Sequence, residues 1–181
     1  MFRRPRFRPV KRIPINEQPP ALVKANRLMS LGNFSEAALV FEELAHGATM
    51  RNIPQDVQLF LAAAHCRIQA RQIEPAMTDL KKGLEILIIR RRFIRFQEAC
   101  QRNIDELKSA GFLSEAQEIA KMRDSMGEIF PHELHDEATV PTTKLPSTCT
   151  SCGGILRSDE VDRIDDYSVE CPWCGITIHC D

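Results

Sequence analysis

The chain has 181 residues, 43% of them apolar and only 6% aromatic, which leaves room for one domain and a small module with a core of aliphatic side chains and Phe rather than of many rings. Its net charge of −1 hides three unlike parts: residues 1–12 carry six Arg and Lys and no acid, residues 13–123 carry 15 basic and 13 acidic residues, and residues 124–181 carry 3 and 12. No apolar run has the length of a membrane helix; the branched run Ile86-Leu87-Ile88-Ile89 stops at arginines.

Residues 1–18 open with Arg3, Arg4, Arg6 and Arg8 interleaved with Phe2, Phe7, Pro5 and Pro9. Such a stretch cannot bury a core, and it predicts a basic disordered arm. No apolar segment follows the charges, so it does not read as a secretory signal, and its prolines oppose an amphipathic transit helix. A cytoplasmic location is the expectation. The four arginines are candidate anion contacts, of the kind that bind phosphates with a steep salt dependence.

Residues 19–130 contain a repeat. Gly32-Asn33-Phe34-Ser35-Glu36-Ala37, Arg71-Gln72-Ile73-Glu74-Pro75-Ala76 and Gly111-Phe112-Leu113-Ser114-Glu115-Ala116 recur with their alanines 39 and 40 residues apart. Each stretch lies between two apolar stripes of helical spacing. Leu22, Ala25, Leu28 and Met29 precede the first, and Ala37, Val40, Phe41 and Leu44 follow it. Val57, Phe60, Leu61, Ala64 and Ile68 precede the second, with Ala76, Leu80, Gly83, Leu84 and Leu87 after it. Phe93, Phe96, Cys100, Ile104 and Leu107 precede the third, with Ala116, Ile119 and Ala120 after it. Gly32 and Gly111 suit helix ends. Asn33 with Glu36, and Ser114 with Gln117, read as capping pairs, and Pro54 and Pro75 as first-turn prolines. Cys66 and Cys100 fall on or near the stripes and read as small buried hydrophobes.

Three hairpins with a small Ala at a fixed place after the turn resemble tetratricopeptide repeats, although the period of that family is shorter and Ala120 stands where it has a large residue. The resemblance implies a partner groove on the concave face lined by the first helices, with Asn26, His65, Gln69, Gln101, Arg102 and Asp105 facing it. The alternatives are a plain six-helix bundle and a solvated polar face. Arg90-Arg91-Arg92-Phe93-Ile94-Arg95-Phe96 forms a second basic cluster. Its phenylalanines should face inward and Arg91, Arg92 and Arg95 outward, as a solvated face or as further anion contacts.

Residues 131–148 hold Pro131, Pro141 and Pro146 among Thr and Ser, a linker composition. Pro131-His132-Glu133-Leu134-His135 is not a metalloprotease helix, because its histidines are three rather than four positions apart. Beyond the linker, Cys149-x2-Cys152-x18-Cys171-x2-Cys174 has the spacing of a metal site with four thiolate ligands. Gly153 and Gly175 permit the tight turns. Ile155-Leu156, Tyr167-Ser168-Val169 and Ile176-Thr177-Ile178 read as short strands, with Ile176, Ile178 and Cys180 on one face.

The CxxCG and CPxCG turns over residues 149–181 resemble a zinc ribbon, and more distantly rubredoxin, which would make the metal iron. Zinc is preferred because Trp173 and Tyr167 are the only aromatics at hand. Two disulfides or free cysteines are the other readings. His179 and Cys180 are either spare ligands or the end of the last strand. Four thiolates leave no coordination position for water, so the site is structural. The linker implies that the helices persist when the metal is removed.

The expected architecture is therefore mainly α, with three hairpins in a tetratricopeptide-like array and a small β module. No phosphate loop, nucleophile motif or acid–base pair is legible, so the expected role is a non-enzymatic adaptor that binds a protein partner. Nucleic-acid association through the arm and the Arg90–Arg95 cluster is the first alternative, and iron-based electron transfer the second.

Overall fold

The computed structural model describes residues 20–129, 145–158, 160–165 and 167–180. The expected basic arm with Arg3, Arg4, Arg6 and Arg8, the His132–His135 stretch and most of the expected linker lie outside the described residues. Six helices come first: α1 Pro20–Ser30, α2 Phe34–Met50, α3 Asp56–Gln69, α4 Ile73–Ile89, α5 Phe93–Ala110 and α6 Leu113–Ile129. Three short strands follow, β1 Asp162–Asp165, β2 Ser168–Glu170 and β3 Thr177–His179. None of the described helices is long and apolar enough to cross a membrane.

One turn, used five times, organises the helices. Gly32, Asn52, Arg71, Arg91 and Gly111 all have left-handed φ angles, between 53° and 89°, and stand nineteen or twenty residues apart. After each, an amide reaches back five residues: Asn33 to Leu28 O, Ile53 to Ala48 O, Gln72 to Arg67 O, Arg92 to Leu87 O and Phe112 to Leu107 O, all at 2.8–2.9 Å. This is the Schellman closure, which satisfies carbonyls that a helix end leaves free. The regularity therefore belongs to each helix, and the 39–40-residue repeat is two such units.

Capping differs from expectation. Asn33 is the N-cap of α2 but makes no side-chain cap bond. Ser114 is already inside α6, where its hydroxyl donates to Glu115 at 2.7 Å. Because the Schellman turn delivers the chain directly into the next helix, these starts rely on backbone geometry; Asn33 O still accepts the first helical bond, from Ala37 N at 3.0 Å.

Consecutive helices pack as hairpins, and α2 with α3 and α4 with α5 join them. The repeated Ala37, Ala76 and Ala116 are all buried, which lets the backbones approach closely. Their companions Phe41 and Leu80 are fully buried, while Ala120 is only partly so. Two apolar clusters result. Leu61, Ala64 and Ile68 of α3 pack with α4, α5 and α6. Leu59, Phe60, Ala63 and Cys66 of the same helix pack with α1, α2 and the C-terminal sheet. The sheet module thus shares a core with the first three helices instead of hanging free of them.

The sheet is antiparallel in the order β1-β2-β3. Strand β1 was not anticipated, since Asp-Arg-Ile-Asp lacks a strand-like pattern. Ile155 forms a lone bridge to Thr148 rather than a strand. In β3 and just beyond, Ile176, Ile178 and Cys180 turn toward the interior, as the alternation requires.

Two buried ion pairs cross between helices. Asp56, 1% exposed, receives both terminal nitrogens of Arg90 at 2.7 Å, tying the start of α3 to the end of α4. Arg67 sits between Glu42 and Asp79. Its Nε lies 3.1 Å from Asp79 Oδ2, yet neither Asp79 oxygen gains an aligned hydrogen bond. Burial therefore raises the Asp79 carboxyl above its ordinary range, with the Arg67 charge pulling against it.

Arg91 is exposed and left-handed at φ 55°. That conformation costs a non-glycine residue about 1–2 kcal/mol, partly offset by glycine's greater chain entropy. Arg91→Gly should stabilise the chain by up to about 1 kcal/mol in urea unfolding. Arg71→Gly should gain less, because Arg71 also donates to Ala110 O at 2.7 Å and lies over the Phe112 ring. For Asp79, a raised folded pKa means that the native state holds its proton more tightly than the unfolded state. Its contribution to stability is present at low pH and lost as pH rises from about 4, the unfolded value. Asp79→Asn should therefore become progressively more stable relative to the parent between pH 4 and pH 7; a difference constant with pH overturns this.

Candidate metal centre and the groove beside it

The two cysteine turns are built alike. In the first, Cys149 N donates to Gly154 O at 2.8 Å and Gly153 N to Cys149 O at 2.9 Å. In the second, Cys171 N donates to Ile176 O at 2.8 Å and Gly175 N to Cys171 O at 2.9 Å. Gly153 and Gly175 take φ angles of 71° and 73°, which glycine adopts without strain. Amides are aimed at sulfur in both turns: Gly154 toward Cys152, and Trp173 and Cys174 toward Cys171.

The turns bring Cys149, Cys152, Cys171 and Cys174 together with all four Sγ atoms within 4.8 Å of one another. Two separations across the turns are 3.9 Å (Cys149–Cys174) and 3.8 Å (Cys152–Cys171). A tetrahedral ion with sulfur at about 2.3 Å has edges of about 3.8 Å, so the spacing fits one. The cysteines are free rather than paired in disulfides, and three of the four are buried. Thiols this close resist joint ionisation. Cys152 is raised, chiefly by its bond with Cys171, and Cys171 is pushed up to about 12 by Cys174 and burial although its bond with Cys152 pulls it down. A bound cation would supply the charge that lets all four ionise, with release of protons. Cys180 is buried, and its amide donates to Tyr167 O at 2.7 Å; neither it nor His179 belongs to the four-ligand group.

Trp173, between two of the ligands, locks the turns together. Its indole N–H donates to Ile155 O at 2.7 Å, and its ring covers Gly154 so closely that a Cβ there would lie 2.6 Å from it. It also meets Phe41 of α2, with ring centroids 5.7 Å apart. The need for glycine at position 154 was not legible, because it depends on a ring nineteen residues away.

The six groove positions are distributed as follows. Asn26 is buried and donates its amide to Cys152 O at 2.9 Å, so it holds the first cysteine turn. Arg102 pairs with Glu160, which also accepts from Gln58 at 3.0 Å. His65 and Gln69 both meet Glu106, at 2.6 and 3.0 Å. Gln101 turns toward α6, donating to Asp105 and accepting from Arg123. His65, Gln69, Arg102 and Asp105 line one cavity of about 480 Å³ between α3, α5 and the cysteine module, closed by Ile155, Arg157, Glu160 and Trp173.

Of the basic cluster, Phe93 and Phe96 are buried as expected. Arg91 and Arg92 are exposed and Arg95 half-buried; Arg92 and Arg95 line a second cavity of about 300 Å³ with Arg90, Arg102, Glu160, Glu170 and Pro172. Cys66 and Cys100 are fully buried, and burial pushes each thiol up to about 12, which leaves them unreactive.

Gly154→Ala should cost the module about 1–3 kcal/mol by overpacking and weaken retention of an added thiophilic metal ion against a chromogenic chelator, most visibly as pH falls and protons compete for the thiolates. Unchanged retention at all pH values would mean that Trp173 does not brace the turns. No protein-family profile, curated protein or solved structure matches this chain.

Proposed function

We propose that the chain is a non-enzymatic interaction adaptor, in which a tetratricopeptide-like array carries a structural zinc ribbon and offers the groove between them to a protein partner. The observation that carries this reading is the 480 Å³ cavity, where His65, Gln69, Arg102 and Asp105 meet side chains of the cysteine module. Its wall mixes apolar Met29, Leu61 and Trp173 with hydrogen-bonding groups, the composition that holds a peptide side chain in register. The four thiolates support a structural ion, since they complete a tetrahedron without leaving a site for water. Zinc suits that thiolate set, and the rigid turns give it a closed shell. Arg90 and Arg102 are engaged with Asp56 and Glu160, which favours a structural part for these members of the arginine face.

A photoactivatable cross-linker placed at Gln69 or Ser109, on the groove, should capture one defined protein in cells that make this chain. The same group at Glu118, exposed on α6 and outside that cavity, should not. Equal capture from Glu118, or none from either groove position, would refute the groove reading.

A further inference from the structure

The ribbon meets two unlike surfaces of the array. One is apolar: Leu22 of α1, Phe41 and Ala45 of α2 and Phe60 of α3 share a buried cluster with Trp173 and the cysteines. The other is basic: Arg95, Ala99 and Arg102 lie four and three residues apart on α5 and share a cavity with Glu160, Glu170 and Cys171 of the ribbon.

The groups that fasten the ribbon belong to the cysteine turns themselves. Cys152 supplies both a ligand sulfur and the carbonyl that Asn26 holds at 2.9 Å. Trp173 stands between the ligands Cys171 and Cys174 and supplies the ring that meets Phe41. Few apolar residues of the ribbon besides these are buried, among them Leu156, Val161 and Val169, so its turns depend on a metal cross-link to hold their shape. Charge favours the same seat. Residues 149–181 hold seven acids and two arginines, and Glu160 and Glu170 among them share a cavity with Arg95 and Arg102 of α5.

We infer that the ribbon is a metal-set lid: loaded, it covers the apolar face of α1–α3 against the arginines of α5; unloaded, it leaves that face open while the helices remain folded. This rests on the reading of the four cysteines as a zinc site. It turns the metal from a passive staple into the condition that decides whether the apolar face of α1–α3 is accessible.

The full-length zinc-loaded protein tests this, because Trp173 is its single tryptophan and lies in the seam. Removing zinc with a chelator should shift its emission to the red and raise amide exchange in α1 and α2 at least tenfold, with the far-ultraviolet helical signal retained and both changes reversed by added zinc. Glu160→Arg should keep one zinc per chain while shifting the emission and speeding the same amides. Zinc release that leaves emission and exchange unchanged, or helices that melt together with the ribbon, would overturn the lid. So would a Glu160→Arg protein that behaves as the parent does. A chain whose metal content is nil and that takes up no added zinc refutes instead the metal reading beneath it, and elemental analysis tells the two failures apart.

Discussion

The indole of Trp173 is the point where three requirements meet. Its N–H must find an acceptor once buried, and Ile155 O supplies it. Its ring needs a flat surface, which only a residue without a Cβ can offer, hence Gly154. Its apolar surface needs a further partner, which is Phe41. The first two conditions hold the cysteine turns at the spacing a tetrahedral ion requires, and the third fixes that site to the helices. A small module with little core of its own is thereby made part of a larger one.

The helices follow a different economy. They are held by repetition of one turn, whose left-handed residue is glycine twice and Asn or Arg three times. The three non-glycine positions carry strain, and at Arg71 contacts to Ala110 and Phe112 offset it. In the Arg67–Asp79 and Arg90–Asp56 pairs, desolvation consumes much of what the charges gain. The arginine at position 90 thus reads quite differently in space from its place in a run of basic residues.

Much of this was legible in the sequence, and the reason is local. The helical stripes, the left-handed glycines at 32 and 111 and the four cysteines all depend on residues within a turn or two of one another. The same holds for the inward alternation of Ile176, Ile178 and Cys180. The turn at Arg91 was not legible because arginine is not a customary left-handed residue. Strand β1 escaped because it is charged and owes its existence to pairing with β2. The seat of the module on α1–α3 could not be read at all. A prolyl, threonine-rich stretch suggests separation, while the contacts that join the parts, Asn26 to Cys152 and Phe41 to Trp173, span more than a hundred positions. Asn26 reads as a groove residue from its place on the first helix, but what its side chain meets is the chain's own cysteine turn.

The cluster that joins the first helices to the last residues also has a temporal side. Helical hairpins close through neighbours in sequence and form quickly, whereas the module's contacts with α1 and α2 must wait for the end of the chain. On the ribosome, α1 to α3 would emerge and fold with one apolar flank bare until residue 174 has been made. That flank, centred on Phe41 and Phe60, is where a nascent chain of this kind is most exposed to chaperones or to its neighbours on the same message.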